Sequence, residues 1–417
     1  MKSTYIIIIG LLIVNCTWAQ TPSKDDAMKR LVEDYNYIVG TQTVGPKYKF
    51  TNESMLVETA KQIKDMGSNL LKFSMHPRYC NENYGLTENK EITSLTSLAQ
   101  LEPSVKEVLN MDFKFYHIWV YGFSQYSPEP KGKKNDTSQI KFIGGYPDFY
   151  AEALYKELYE LTSYLLKEFN NSGKVFYLGN WEGDWHLRWD YDRTKPADEA
   201  TLEGMLKWAK VRQKAIDDAK RDTEYKNVNI YHYVEVNLVR RGIELGDKVV
   251  TNTIIKEVNP DYVSYSSYDA TNPPKTEQEL HVSLSESLDY IESYLQPKKG
   301  LPDGKRVWIG EYGSPFMRYG EKVQNERAKW VIKTGLKWNA PFILFWEMYN
   351  NEIKKETGEQ VGFWMIDDKA RKQEIWHTHN KFYKDSKRFL KQYYQENKKM
   401  PLLSVFQEKA LKFNILN

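Results

Sequence analysis

Residues 307–313 read Val307-Trp308-Ile309-Gly310-Glu311-Tyr312-Gly313. A short apolar run of β-branched and aromatic side chains predicts a strand buried on both faces, as in a parallel sheet. A carboxylate emerging at the end of such a strand is costly unless it is paired or used. The same pattern recurs upstream, where the apolar run 175–179 leads into Asn180-Trp181-Glu182-Gly183-Asp184-Trp185.

Working outward, the same criterion marks strands at 37–41, 69–74, 113–121, 175–179, 228–236, 262–268, 307–312 and 342–346. Amphipathic helices are readable between several of them. Leu154, Leu158, Leu161 and Leu165 form one stripe, and Leu202, Leu206, Ala209 and Ile216 another. Leu280, Leu284, Leu288, Ile291 and Leu295 form a third at helical spacing. Thr276 and Glu279 open that last helix as a capping box, and a helix over 54–66 ends at Gly67. Strands alternating with helices at this length predict an α/β fold, a single (β/α)8 TIM barrel spanning residues 20–417. A doubly wound open sheet is the alternative, but no glycine-rich phosphate loop follows the first strand.

The remaining composition narrows the chemistry. Its 59 basic and 56 acidic residues are interspersed over 417 positions, and no basic stripe points to nucleic acid. Residues 1–19 read as a signal peptide, with Lys2 before the apolar run 6–14, which is too short for a membrane span. Cys16 raises a lipoprotein anchor, which Asn15 before it disfavours, so a secreted or periplasmic location is expected. Beyond the leader only Cys80 remains, which excludes an internal disulfide and a zinc-type cysteine framework. The 30 Tyr, 17 Phe and 12 Trp offer flat apolar faces with polar edges, suited to stacking on sugar rings or to packing in a core.

In a barrel, functional groups project from the C-terminal strand ends. The fourth and seventh strands lie on opposite sides of the ring, so Glu182 and Glu311 can face each other across the mouth. Two such carboxylates, one protonated and one ionised, are what glycosidic cleavage requires. The sixth strand ends Ser264-Tyr265-Ser266-Ser267-Tyr268-Asp269 and the eighth Leu344-Phe345-Trp346-Glu347. No Gly-x-Ser-x-Gly elbow or Walker loop appears. His377 and His379 fall on different faces of a predicted helix, so no metal or cofactor site is expected.

These strand ends resemble those of glycoside hydrolase clan A, the retaining (β/α)8 glycosidases. Gly310-Glu311-Tyr312-Gly313 is similar to the clan's seventh-strand ending, and Gly67-Ser68-Asn69-Leu70-Leu71-Lys72 to its second strand. The resemblance implies Glu311 as nucleophile and Glu182 as acid/base, with Trp346 flooring a sugar subsite and Tyr268 or Tyr265 bonding the nucleophile. Here Trp181 separates Asn180 from Glu182, where the clan has Asn directly before the acid/base, and Lys72 stands where the clan carries Arg. Asp184 is a second candidate for the acid.

Asn180, Lys72, His76, His117, Trp181, Trp185 and Glu347 complete the expected sugar-binding set, with Trp119 and Glu235 also in reach of the mouth. The expected partner is a poly- or oligosaccharide. A carbohydrate-binding barrel without turnover and a transglycosylase are the alternatives. Retention requires carboxyl groups about 5–5.5 Å apart, and inversion about 6.5–9.5 Å.

Overall fold

A computed structural model describes residues 24–80, 84–124, 141–188 and 191–417. The leader at 1–19, with Cys16, lies outside the described residues. The eight apolar runs form eight parallel strands: β1 (Val39–Thr41), β2 (Leu70–Met75), β3 (Phe115–Val120), β4 (Val175–Gly179), β5 (Asn229–Val236), β6 (Tyr262–Ser266), β7 (Val307–Tyr312) and β8 (Ile343–Phe345). Their order is β1-β8-β7-β6-β5-β4-β3-β2. The ring is joined between β1 and β2 by a single parallel bridge, Gln42 to Lys72, beside a Thr43 N–H to Lys72 C=O bond of 2.9 Å. The result is a (β/α)8 barrel.

Several strands are shorter than their apolar runs. β1 begins at Val39 because Ile38 stands at φ 70°, outside the extended region. β6 stops at Ser266 because the chain turns into a helix at Tyr268–Thr271.

Helices follow the expected faces. The helix expected over 54–66 runs Met55–Met66, with Ser54 Oγ capping Val57 N–H at 3.2 Å, and it ends where Gly67 takes φ 113°. Helix Asp148–Glu168 buries Leu154, Leu158, Leu161 and Leu165 and packs on helix Glu199–Asp222. On the latter, Leu206 lies only half-buried; Met205, Trp208 and Arg212 share the inner face with Leu202, Ala209 and Ile216. Helix Glu277–Ser293 is capped by Thr276 Oγ1 on Glu279 N–H, but Glu279 turns to Lys275 N–H, so only half of the capping box forms. His377 is exposed and His379 buried on helix Glu374–Asn397. No helix among the described residues is long and apolar enough to cross a membrane.

The barrel interior is layered. At its waist, the His117 ring stacks on Tyr177 at 4.6 Å and meets Trp308 and Phe342 edge-on at 4.8 and 4.6 Å. His117 therefore sits in an aromatic plug with both ring nitrogens buried, not at the mouth where the sequence placed it. Desolvation there holds its pKa well below the usual histidine value.

One irregularity decides what reaches the mouth. Trp308 points inward to that plug, so Ile309 points outward, against Gly335 of helix Phe316–Trp338. Strict alternation would then turn Gly310 in and Glu311 out. The ladders instead slip: Tyr265 pairs Ile309 while Ser266 pairs Glu311, and against β8 the same strand carries one extra residue between Ile309 and Tyr312. This bulge at Gly310 re-aims Glu311 into the barrel.

Candidate active site

Directly above the aromatic plug lies a polar layer built by β2, β5 and β6. Lys72 Nζ donates to Glu235 Oε2 at 3.0 Å and Glu311 Oε1 at 3.3 Å, and stands 4.3 Å over the Trp119 ring. Ser264 Oγ donates to the same Glu235 oxygen at 2.7 Å, and the Glu182 amide to Glu235 Oε1 at 3.1 Å. Gly310 makes room for this layer: a Cβ there would fall 1.8 Å from Ser264 Oγ and 3.1 Å from Glu235 Oε2. Lys72 and Glu235 are fully enclosed, so their charges compensate one another in place of water.

Glu182 and Glu311 meet above that layer. Ser266 Oγ touches both, at 2.5 Å from Glu182 Oε1 and 3.2 Å from Glu311 Oε2. Those two oxygens are therefore separated by no more than the two contacts laid end to end, about 5.7 Å. The Trp185 indole N–H donates to the other Glu182 oxygen at 2.6 Å. Burial pushes the Glu182 carboxyl up to about 8, aided by the charge of Glu235. Burial pushes Glu311 up as well, and there the Lys72 ammonium in direct contact opposes it. The pair thus holds one carboxyl beside a cation and one without, the asymmetry that separates a base from an acid.

A cavity of about 1040 Å³ opens over the pair, lined by Trp119, Trp181, Trp185, Tyr268, Trp346 and His76 among others. Trp119 and Trp346 lie side by side, 5.9 Å apart and tilted by 33°, as a broad apolar floor; the Trp346–Glu347 peptide bond is cis. His76 meets Tyr121 edge-on at 5.4 Å. Of the expected set, Glu182, Glu311, Tyr268, Trp346, His76, Trp181, Trp185 and Trp119 all border this space. Lys72 and Glu235 lie beneath it.

Besides His117, four candidates are placed elsewhere. Asn180 turns from the cavity, with Oδ1 accepting Glu235 N–H at 3.4 Å and Nδ2 donating to Trp181 C=O at 3.0 Å. Glu347 is enclosed behind the wall, where one oxygen accepts Val44 N–H at 2.8 Å. Tyr265 is fully buried and bonds Asp269. Asp184 accepts the backbone amides of Asn237, Leu238 and Val250 at 3.1, 3.2 and 2.9 Å. It anchors loops to the fourth strand end and does not border the cavity.

Sequence reading passed over Ser264, Ser266, Tyr121, His186 and Glu352. Tyr121 Oη bonds His186 Nε2 at 3.2 Å and receives Trp181 N–H at 2.8 Å, shaping one wall. Glu352 bonds Trp346 at the opposite edge. The two serines left a usable trace: alternate small hydroxyls within a buried apolar strand put both on the inner face. Among the described residues, no group of three or more His, Cys, Asp or Glu is arranged to hold a metal ion.

No protein-family profile matches this sequence, and no curated protein is similar to it in sequence. Solved structures do resemble its fold. A GH5_18 protein from Bifidobacterium longum subsp. infantis superposes with a TM-score of 0.52 at 12% identity, over 83% of this chain and 78% of that one. A family 5 xyloglucanase from Paenibacillus pabuli gives 0.51 at 13%, over 86% and 99%. A family 39 glycoside hydrolase from Bacteroides cellulosilyticus WH2 gives 0.50 at 13%, over 84% of this chain and 64% of its own. These structural neighbours are clan A glycoside hydrolases, and the shared feature is the (β/α)8 barrel.

Proposed function

We propose that this chain is a glycoside hydrolase that cleaves O-glycosidic bonds of a poly- or oligosaccharide with retention. The observation that carries the proposal is the buried pair Glu182 and Glu311, bridged by Ser266 and no more than about 5.7 Å apart at the bridged oxygens. That spacing favours direct attack over the wider gap that an intervening water needs. Glu311 attacks the anomeric carbon as the glycosidic C–O bond breaks, and Glu182 gives its proton to the leaving oxygen. Glu182 then takes a proton from water as that water displaces Glu311. The Trp119–Trp346 floor, Tyr268, His76, Trp181 and Trp185 supply stacking faces and polar edges for the sugar. The glycosidase character of the neighbouring folds supports the same reading. We take 20–417 as the catalytic barrel behind a secretory leader at 1–19.

The test is Glu311→Gln, which keeps the shape and removes the nucleophile. The parent should hydrolyse a member of a glucan, xylan, mannan and galactan panel with retention seen by NMR. The variant should lose essentially all turnover while still binding that glycan. A parent that binds glycans without cleaving any of them refutes the enzyme reading, and an inverted first product refutes retention.

A further inference from the structure

The contact between Ser266 and both carboxylates constrains where protons reside. A hydroxyl has one proton to give. With both acids ionised, Ser266 could serve one of them and would present a lone pair to the other. The other donors in hydrogen-bond contact with these acids go to other oxygens. Glu235 takes Lys72, Ser264 and the Glu182 amide; Glu311 Oε1 takes Lys72; Glu182 Oε2 takes the Trp185 indole. That leaves Glu182 Oε1 and Glu311 Oε2 facing the same hydroxyl.

Placing one proton on the pair resolves the conflict, since the protonated acid donates to Ser266 Oγ and frees the serine proton for its partner. Lys72 breaks the tie between the two directions. Its ammonium contacts Glu311 at 3.3 Å, which favours the ionised form there. Resting on the catalytic reading above, we propose that Ser266 is a positioning residue that sorts the pair's proton, holding it on Glu182 and keeping Glu311 ionised. The charge balance agrees: the buried acids Glu182, Glu235 and Glu311 lie together, Lys72 contacts the latter two, and a proton on Glu182 halves the excess negative charge.

The experiment uses full-length parent and Ser266→Ala, both isotope-labelled at glutamate δ-carboxyl carbons, with resonances assigned through Glu182→Gln and Glu311→Gln. In the parent, Glu182 should titrate well above Glu311. In Ser266→Ala the gap should narrow by about one to two pH units, because a hydrogen bond to each charge state is lost. For the active enzyme, kcat/KM on a para-nitrophenyl glycoside should fall at least about tenfold. Its pH bell should narrow from both sides, the acid limb moving up and the basic limb down. An unchanged gap, or Glu311 titrating last in the parent, overturns the inference. A narrowed gap in a parent that hydrolyses nothing keeps the proton sorting and removes the glycosidase reading, so the two failures are distinct.

Discussion

Replacing Lys72 by methionine removes the cation beneath the Glu182–Glu311 pair while keeping an unbranched chain of similar reach. Lys72 Nζ lies 3.0 Å from Glu235 and 3.3 Å from Glu311, with 1% of the residue exposed. Removing one partner of such a buried group costs about 3–5 kcal/mol if the acids stay charged. They have one escape, which is protonation. Holding a carboxyl neutral costs about 1.4 kcal/mol for each pH unit above its ordinary value near 4.3.

At about pH 5 that escape costs only ~1 kcal/mol for Glu311, and at about pH 8 roughly 5 kcal/mol. The variant should therefore lose about 1 kcal/mol of stability at the lower pH and about 3–5 kcal/mol at the higher. The sign follows from linkage. Burial already raises Glu311, and without Lys72 its folded value rises further above the unfolded one. The folded state then binds the extra proton, and stability falls as pH rises across that window. Urea unfolding followed by tryptophan fluorescence at both pH values measures this. Equal losses at the two, or a larger loss at the lower, refute the assigned pairing.

Gly310→Ala places a methyl 1.8 Å from Ser264 Oγ. A loss of about 1–3 kcal/mol in thermal unfolding is expected, with kcat/KM collapsing further because Ser264 and Glu235 must move. Trp185→Phe deletes the 2.6 Å indole donor to Glu182, which favours the ionised carboxylate. Its loss should lift Glu182 above about 8, so the basic limb of the kcat/KM profile moves upward; a downward shift would contradict the bond's assigned role. Asp184→Asn turns an amide NH₂ toward backbone donors and should cost about 1–3 kcal/mol of stability. The basic limb should stay in place, and its disappearance would return Asp184 to the role of acid.

Much of the barrel was readable because parallel strands buried on both faces write themselves as apolar runs. The runs at 175–179 and 307–312 match β4 and β7 at both ends. The rest depended on contacts that leave little local trace. His117 and Lys72 are register neighbours on adjacent strands, yet one enters an aromatic plug and the other an ionic layer. Depth along the barrel separates them, and periodicity carries no depth. Asn180 and Asp184 flank Glu182 with equally suitable side chains. What distinguishes them is which backbone amides the turn after β4 presents. Ser264 and Ser266 were legible as inward positions but not as partners of acids contributed by three other strands.

The slip at Gly310 has a wider consequence. A strand is a parity device: once one side chain is assigned to the inside, every later one follows. β7 breaks that rule between Ile309 and Glu311, so its lower half answers to the core and its upper half to the mouth. Substitutions that repack the Trp308 neighbourhood need not rotate Glu311, because the frame is reset between them. Straightening the slip without removing a residue would restore strict alternation and swing the carboxylate toward the surrounding helices. For this barrel, a frame error of one residue is as damaging to the site as losing the acid itself.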